Sequence, residues 1–232
     1  PCQGAIPAGE LVVPPCPLLA SNEVRHVGDA VAVVVADTVD RARDAAEALA
    51  VEWDALPHVI GAAAALQPGA PPVWPAIMAR RGNLAFETHI GDAEATAHAF
   101  ARAARTVSLT LVNQRLVTNY LDTRGVVAEY DGERITLTLS SQGSHTIRDV
   151  LCADIFKIET ARMRVVTPDV GGGFGTTLLP YREYALAGLA ARRLERPVKW
   201  IADRSEHFLG DAQGRDNITT AKLALDGDGR FL

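Results

Sequence analysis

The sequence predicts an α+β fold: a small α/β layer at the N-terminal end, then a larger mixed α/β domain. Three observations carry this. A β-branched run over residues 24–36 is followed by an amphipathic helix and a second short strand. A connector rich in proline and glycine occupies residues 67–90. Beyond it come a hairpin pattern and a strand, glycine loop and helix in succession.

In order along the chain, residues 24–36 (VRHVGDAVAVVVA) read as a buried strand behind a turn at Gly28-Asp29. Residues 38–50 read as a helix, with Val39, Ala42, Ala46 and Leu49 on one stripe. Residues 50–54 make the next strand. One helix cannot fix the topology of this layer, so a mixed α+β roll stays open beside a β-α-β unit. The alanines at 62–65 fit a short helix. Prolines in the connector forbid continuous helix or central strand. These breaks divide the chain into an α/β domain over 1–70, a linker over 71–90 and a second domain over 91–232.

The second domain opens with a helix over 92–104, for which Asp92 is the N-cap. A strand over 105–112 follows. Residues 124–140 form a hairpin turning at Asp131-Gly132. A helix covers about 145–156, a strand 162–167, a helix 180–194 and a strand 197–201. On that second helix the apolar stripe is Ala185, Leu186, Leu189, Ala190 and Leu194. Residues 218–225 alternate as a strand and turn at 226–229, with only three residues left for the returning arm. The hairpin is therefore expected to leave an unpaired edge, as in a piece of a longer polypeptide or a chain completed by a partner.

The chain has 232 residues, a net charge of -5 and 48% hydrophobic residues. A core of real size is affordable, and the acidic balance disfavours a nucleic-acid partner. No apolar run approaches the roughly 20 residues of a membrane span, and no signal peptide pattern opens the chain. Cys2, Cys16 and Cys152 lack metal-site spacing and read as free thiols, which fits a cytoplasmic location.

Residues 171–175 hold four glycines in five positions between a strand and a helix. Glycine is placed where φ must be positive or a ligand must approach backbone. Consecutive amides there can form a nest for an anion or a polar cofactor, and a following helix would add its positive end. A tight turn without a ligand is the bland alternative. The spacing fits neither the dinucleotide fingerprint, since Thr176 stands at its last position, nor a P-loop, since no lysine follows. Phe174 is suited to walling a pocket rather than to holding phosphate.

The run RVVTPDVGGGFG, from Arg164 to Gly175, resembles the molybdopterin-binding signature of the xanthine dehydrogenase, aldehyde oxidase and carbon monoxide dehydrogenase large subunits. RPVKWIADRSE over 196–206 and SSQGSH over 140–145 are similar to neighbouring segments of that family. VRHVGDAVA over 24–32, ARDAA over 42–46 and Leu56-Pro57 resemble its α/β hammerhead domain. Nearly the whole chain is covered in order. The implied fold is a hammerhead domain followed by the first molybdopterin-binding domain, incomplete at its C-terminal end.

The resemblance implies that Gly172, Gly173, Phe174 and Gly175 contact a molybdenum-molybdopterin cofactor, in its cytosine dinucleotide form. It places Gln142 near the metal's oxo group and Phe174 beside the metal. The metal is held by the pterin, so no protein ligand is expected. An amide at Gln142 can donate to an oxo group and accept from a ligand. Family chemistry is hydroxylation of a small molecule with water as the oxygen source. Electrons leave through iron-sulfur clusters and FAD on partner subunits. His145 is read as a helix-start residue and Asp169 as a turn residue.

Two positions depart from the family pattern. Thr177 stands where a lysine is common two residues after the last loop glycine, and Leu121-Asp122 replaces a Met-Glu pair. The family's general-base glutamate lies downstream of these motifs, so this chain alone is expected to be incomplete for catalysis. Two other roles stay open: a non-catalytic relative that binds cofactor or partner subunits, and a nucleotide binder using the glycine loop.

Overall fold

The computed structural model describes residues 11–78 and 82–232; Cys2 lies outside them. In chain order the elements are helices α1 (Val39–Glu47), α2 (Ala62–Ala65), α3 (Pro75–Met78) and α4 (Ala93–Ala101), then strands β1 (Arg105–Asn113), β2 (Leu116–Val117), β3 (Gly125–Tyr130) and β4 (Ile135–Leu139). Helix α5 (Ser144–Val150) runs on as a π-helical segment, Leu151–Phe156. Then follow β5 (Met163–Val166), α6 (Arg182–Leu194), β6 (Val198–Ile201), α7 (Arg204–Gly210), β7 (Gln213–Gly214) and β8 (Asn217–Leu225).

The chain divides into two compact units. One comprises Pro1–Pro15, Ala55–Leu116 and Arg215–Leu232, the other Cys16–Asp54 and Val117–Gly214.

In the first unit, β1 and β8 pair antiparallel over nine residues, from Arg105 opposite Leu225 to Asn113 opposite Asn217. Alternating apolar and hydroxylated residues favour this extended ribbon, and Thr110 and Thr220 hydrogen bond across it at 3.1 Å. The expected return arm is a bridge between Leu225 and Phe231, and among the described residues no further strand pairs with that edge of β8. Asp92 caps α4 as its sequence position predicts, accepting from the Ala95 amide at 2.9 Å. The connector is more ordered than its composition suggests. Pro75 starts the one-turn helix α3, where its missing N–H costs nothing. The Asn83 side chain accepts from Val73 N and donates to the carbonyls of Ala65 and Pro71.

In the second unit, four strands form a sheet in the order β5-β4-β3-β6. The β3–β4 hairpin is antiparallel, with Val126 opposite Leu139 and Tyr130 opposite Ile135. β6 adds antiparallel to β3, and β5 adds parallel to β4. The period-2 pattern puts Val126, Ala128, Ile135, Leu137 and Leu139 on the buried face. α6 covers that face with Tyr184, Ala185, Ala187, Gly188 and Ala191. The buried face is thus rotated from the stripe read in the sequence, and Leu194 is exposed. Small residues explain the rotation: a Cβ on Gly188 would come within 3.0 Å of the Phe156 ring, so the helix sits close to the sheet. Leu137 is fully buried among these residues. Leu137→Ala is expected to cost about 3 kcal/mol, read as a lowered midpoint in urea unfolding with an unchanged slope.

Residues 24–36 and 50–54 correct the reading of an N-terminal sheet. Neither forms a strand, and Val31, Val33 and Val35 are exposed. β-branched side chains favour extended backbone, but a strand also needs a hydrogen-bonded neighbour. The segment has only isolated bonds, such as Ala20 N to Ala30 O at 2.7 Å. α1 does form, capped by Thr38, yet it buries no residue. Within this unit the segment is tied down by ion pairs instead: Arg182 to Asp29 at 3.0 Å and Arg196 to Asp37 at 3.1 Å. Burial works against the Asp29 carboxylate, but the Arg25 amide and the charges of His26 and Arg182 hold its pKa below the ordinary range.

Candidate cofactor-binding loop

The glycine loop leaves β5 through Pro168 and closes on a 3-10 turn at Thr176–Leu178. α6 begins only at Arg182, so its positive end does not directly follow the loop as the sequence suggested. The four glycines are needed for different reasons. A Cβ on Gly171 would lie 2.8 Å from the Asp122 carboxyl carbon, and one on Gly172 2.7 Å from Tyr120 Cβ. On Gly173 it would collide with Thr177 Oγ1 and Gln142 Oε1. Gly172 and Gly175 also take φ of 123° and 97°. Gly175 alone among these four has open space where a Cβ would stand. Three glycines therefore seat the loop on the protein, and the fourth keeps one side of it clear.

Phe174, at φ 47°, is a non-glycine residue in the left-handed region, which is strained for an L side chain. The residue is 76% exposed, so an aromatic side chain held at positive φ faces solvent at the loop.

Gln142 lies between the end of β4 and the start of α5, where the chain comes back to the loop. Its Oε1 accepts from the Gly175 amide at 2.7 Å and from the Thr177 hydroxyl at 3.0 Å. Its backbone N–H donates to Thr177 O at 3.3 Å. With the carbonyl turned to the loop, the side-chain NH2 is the end available to a ligand. Gln142 and residues 172–175 are thus brought together, as the sequence predicts. His145 falls in the first turn of α5 as expected, and Asp169 is exposed beside the loop.

The sequence marks Thr176 and Thr177 only as departures from known motifs, and it gives no sign of the residues behind them. Thr176 is buried and binds Gly173 O twice, through its amide at 3.0 Å and its hydroxyl at 2.8 Å. Thr177, in place of a lysine, is also buried and fixes the Gln142 amide. Below the loop, Tyr181 hydrogen bonds to Thr176 O at 3.2 Å and to the Asp211 carboxylate. Arg124 is wholly buried, donating to Glu183 at 2.8 Å, 3.8 Å from Asp211 and 4.0 Å over the Tyr181 ring. Tyr120 rests edge-on against His207 with centroids 4.8 Å apart. Among the described residues no group of three His, Cys, Asp or Glu side chains is placed to hold a metal ion.

Burial pushes the His207 pKa down; Asp211 opposes this, and the charges of Arg204 and Arg124 add to it. A group whose folded pKa is depressed stabilises the fold fully above its unfolded value, about 6.5 for histidine, and loses that as pH falls through the folded value. Stability is expected to decline as pH drops below about 6.5. His207→Phe should flatten that decline in unfolding midpoints measured across the range.

Known proteins share sequence and fold with this chain. The family described as "Molybdopterin cofactor-binding domain" matches residues 77–232, and "Aldehyde oxidase and xanthine dehydrogenase, a/b hammerhead domain" matches residues 8–57. The carbon monoxide dehydrogenase large chain of Hydrogenophaga pseudoflava is 37% identical, over 93% of this chain and 28% of its own length. The nicotine 6-hydroxylase large subunit of Paenarthrobacter nicotinovorans is 32% identical, over 93% and 26%. The crystal structure of quinoline 2-oxidoreductase from Pseudomonas putida 86 superposes with a TM-score of 0.85 at 36% identity, over 93% of this chain and 27% of that one. The chain belongs to the molybdopterin cofactor-binding domain family, with the aldehyde oxidase and xanthine dehydrogenase hammerhead domain matched ahead of it. It spans about a quarter of the length of these relatives.

Proposed function

We propose that this chain is the part of a molybdenum hydroxylase that grips the pterin cofactor, with Gly172, Gly173, Phe174, Gly175 and Gln142 forming the grip. The observation that carries this is the placement of Gly175, with open space where a Cβ would stand, beside the exposed Phe174 and on the Oε1 of Gln142. The loop backbone offers close approach on its clear side, and Phe174 walls that side against water. Gln142 donates from its NH2 while its carbonyl braces the loop. Bound there, a molybdenum-pterin would supply oxidation of a small molecule with water as the oxygen source. We take the cofactor in its cytosine dinucleotide form, and the substrate as an aldehyde, an N-heterocycle or carbon monoxide.

The domain assignment that goes with this is a hammerhead-like domain over 1–70, a linker over 71–90 and the first cofactor-binding domain over 91–232. The matches to residues 8–57 and 77–232 support two successive domains, and the two compact units divide the chain differently. Partners are the remainder of the large subunit, an iron-sulfur subunit and an FAD subunit. The cytoplasm is the location we assign; the free thiols at Cys16 and Cys152 suit it. Among the described residues no helix is long and apolar enough to cross a membrane.

The test is made on the full-length protein with its partners. Stoichiometric molybdenum and pterin, with turnover of one substrate class that incorporates oxygen from labelled water, is the expected result. Cofactor without turnover would favour a non-catalytic relative, and absence of both metal and pterin would sink the reading. Gln142→Glu keeps an acceptor for Gly175 and Thr177 but removes the NH2. It is expected to retain the cofactor and lower turnover about tenfold or more, the order of one lost charge-assisted hydrogen bond.

A further inference from the structure

We propose that Tyr181, backed by Asp211 and Arg124, is a positioning residue that sets the height of the glycine loop from beneath. The inference rests on the loop being the cofactor grip. Gln142 holds the loop from one side, at Gly175 and Thr177. The middle of the loop has a second anchor. Gly173 O is bound twice by Thr176, and Thr176 O is bound in turn by the Tyr181 hydroxyl at 3.2 Å. Thr118 and Thr176 join hydroxyls at 3.0 Å, which orients the Thr176 side chain.

The Tyr181 hydroxyl has one proton and two acceptors, Thr176 O and Asp211 Oδ1, and it accepts from Ala212 N at 3.2 Å. A phenol that must serve a backbone carbonyl has to stay protonated and stay still. Burial and the bond to Asp211 push its pKa well above the ordinary tyrosine range, so it remains a donor. Stillness comes from Arg124, whose guanidinium lies 4.0 Å over the Tyr181 ring and 3.8 Å from Asp211. Glu183 fixes the other end of Arg124 at 2.8 Å. The chain of contacts Glu183–Arg124–Asp211–Tyr181–Thr176–Gly173 thus links a buried ion network to the loop backbone. Tyr184 provides an internal control. It is fully buried, and its hydroxyl makes no hydrogen bond among the described residues.

The experiment uses the full-length assembled protein carrying Tyr181→Phe, Asp211→Asn or Tyr184→Phe. Amide hydrogen exchange is read over residues 173–179, and the Mo(V) electron paramagnetic resonance signal is read at matched molybdenum content. Tyr181→Phe and Asp211→Asn should speed loop exchange about tenfold and shift the resonance, while Tyr184→Phe leaves both as in the wild type. Asp211→Asn keeps the side-chain shape and carries the test if Tyr181→Phe folds poorly. Wild-type loop exchange in Tyr181→Phe, or equal acceleration in Tyr184→Phe, overturns the proposal. If the exchange pattern holds but the wild type carries no molybdenum, the anchor stands and the cofactor reading falls.

Discussion

Gly173→Ala is expected to strip the assembled protein of most of its cofactor while leaving the chain folded. The new Cβ would collide with Thr177 Oγ1 and lie 2.5 Å from Gln142 Oε1. Neither atom belongs to a free side-chain end, because the two are hydrogen bonded to each other and Thr177 is buried. The loop backbone must therefore move, at a strain of about 1–3 kcal/mol. That converts to roughly tenfold to a hundredfold weaker cofactor retention. Molybdenum per chain after extensive dialysis is the measurement. Gly175→Ala makes the informative contrast. Its Cβ meets nothing in the protein but stands in the open side of the loop at positive φ. Comparable molybdenum loss from both variants is expected, through distortion in one and through direct obstruction in the other.

Arg124→Met is expected to have the largest effect on stability, about 3–5 kcal/mol. The guanidinium is buried with carboxylates of Glu183 and Asp211 within 2.8 and 3.8 Å. Removing it leaves Asp211 buried beside His207 and a tyrosine hydroxyl. The remaining charge, rather than the lost pair itself, is the cost. Adding Asp211→Asn to Arg124→Met should therefore recover part of the loss. Urea unfolding of the single and double variants measures both, and a double variant less stable than Arg124→Met would contradict the assignment.

The β3–β4 hairpin and α6 of the second unit were legible in the sequence because their signals are local. The period-2 runs at 125–130 and 135–139, the Asp131-Gly132 turn and the helix over 182–194 each follow from nearest neighbours. The glycine loop and Gln142 were legible as residues, since glycine density and a strand-end amide are visible in a string. How they act was not. Gln142 is 33 positions from Gly175, and nothing local says that its carbonyl binds that amide. Arg124, Tyr181 and Asp211 are invisible for the same reason: each reads alone as an ordinary surface or core residue. The strands expected over 24–36 and 50–54 failed on the same ground. A β-branched run states a preference for extended backbone, but a ladder depends on a neighbour that local sequence does not specify. Thr177 is the instructive departure. Read as a missing charge, it is in the structure the hydroxyl that fixes Gln142.

The cofactor is expected on the clear side of Gly175, between the Phe174 ring and the Gln142 amide. An experimental structure of the full-length, cofactor-loaded complex tests this most directly. The expected result is pterin density against the backbone of residues 172–175, with the metal beside Phe174 and a metal-bound oxygen within hydrogen-bond distance of Gln142 Nε2. Cofactor density elsewhere, with residues 171–177 in the geometry described above, would contradict it.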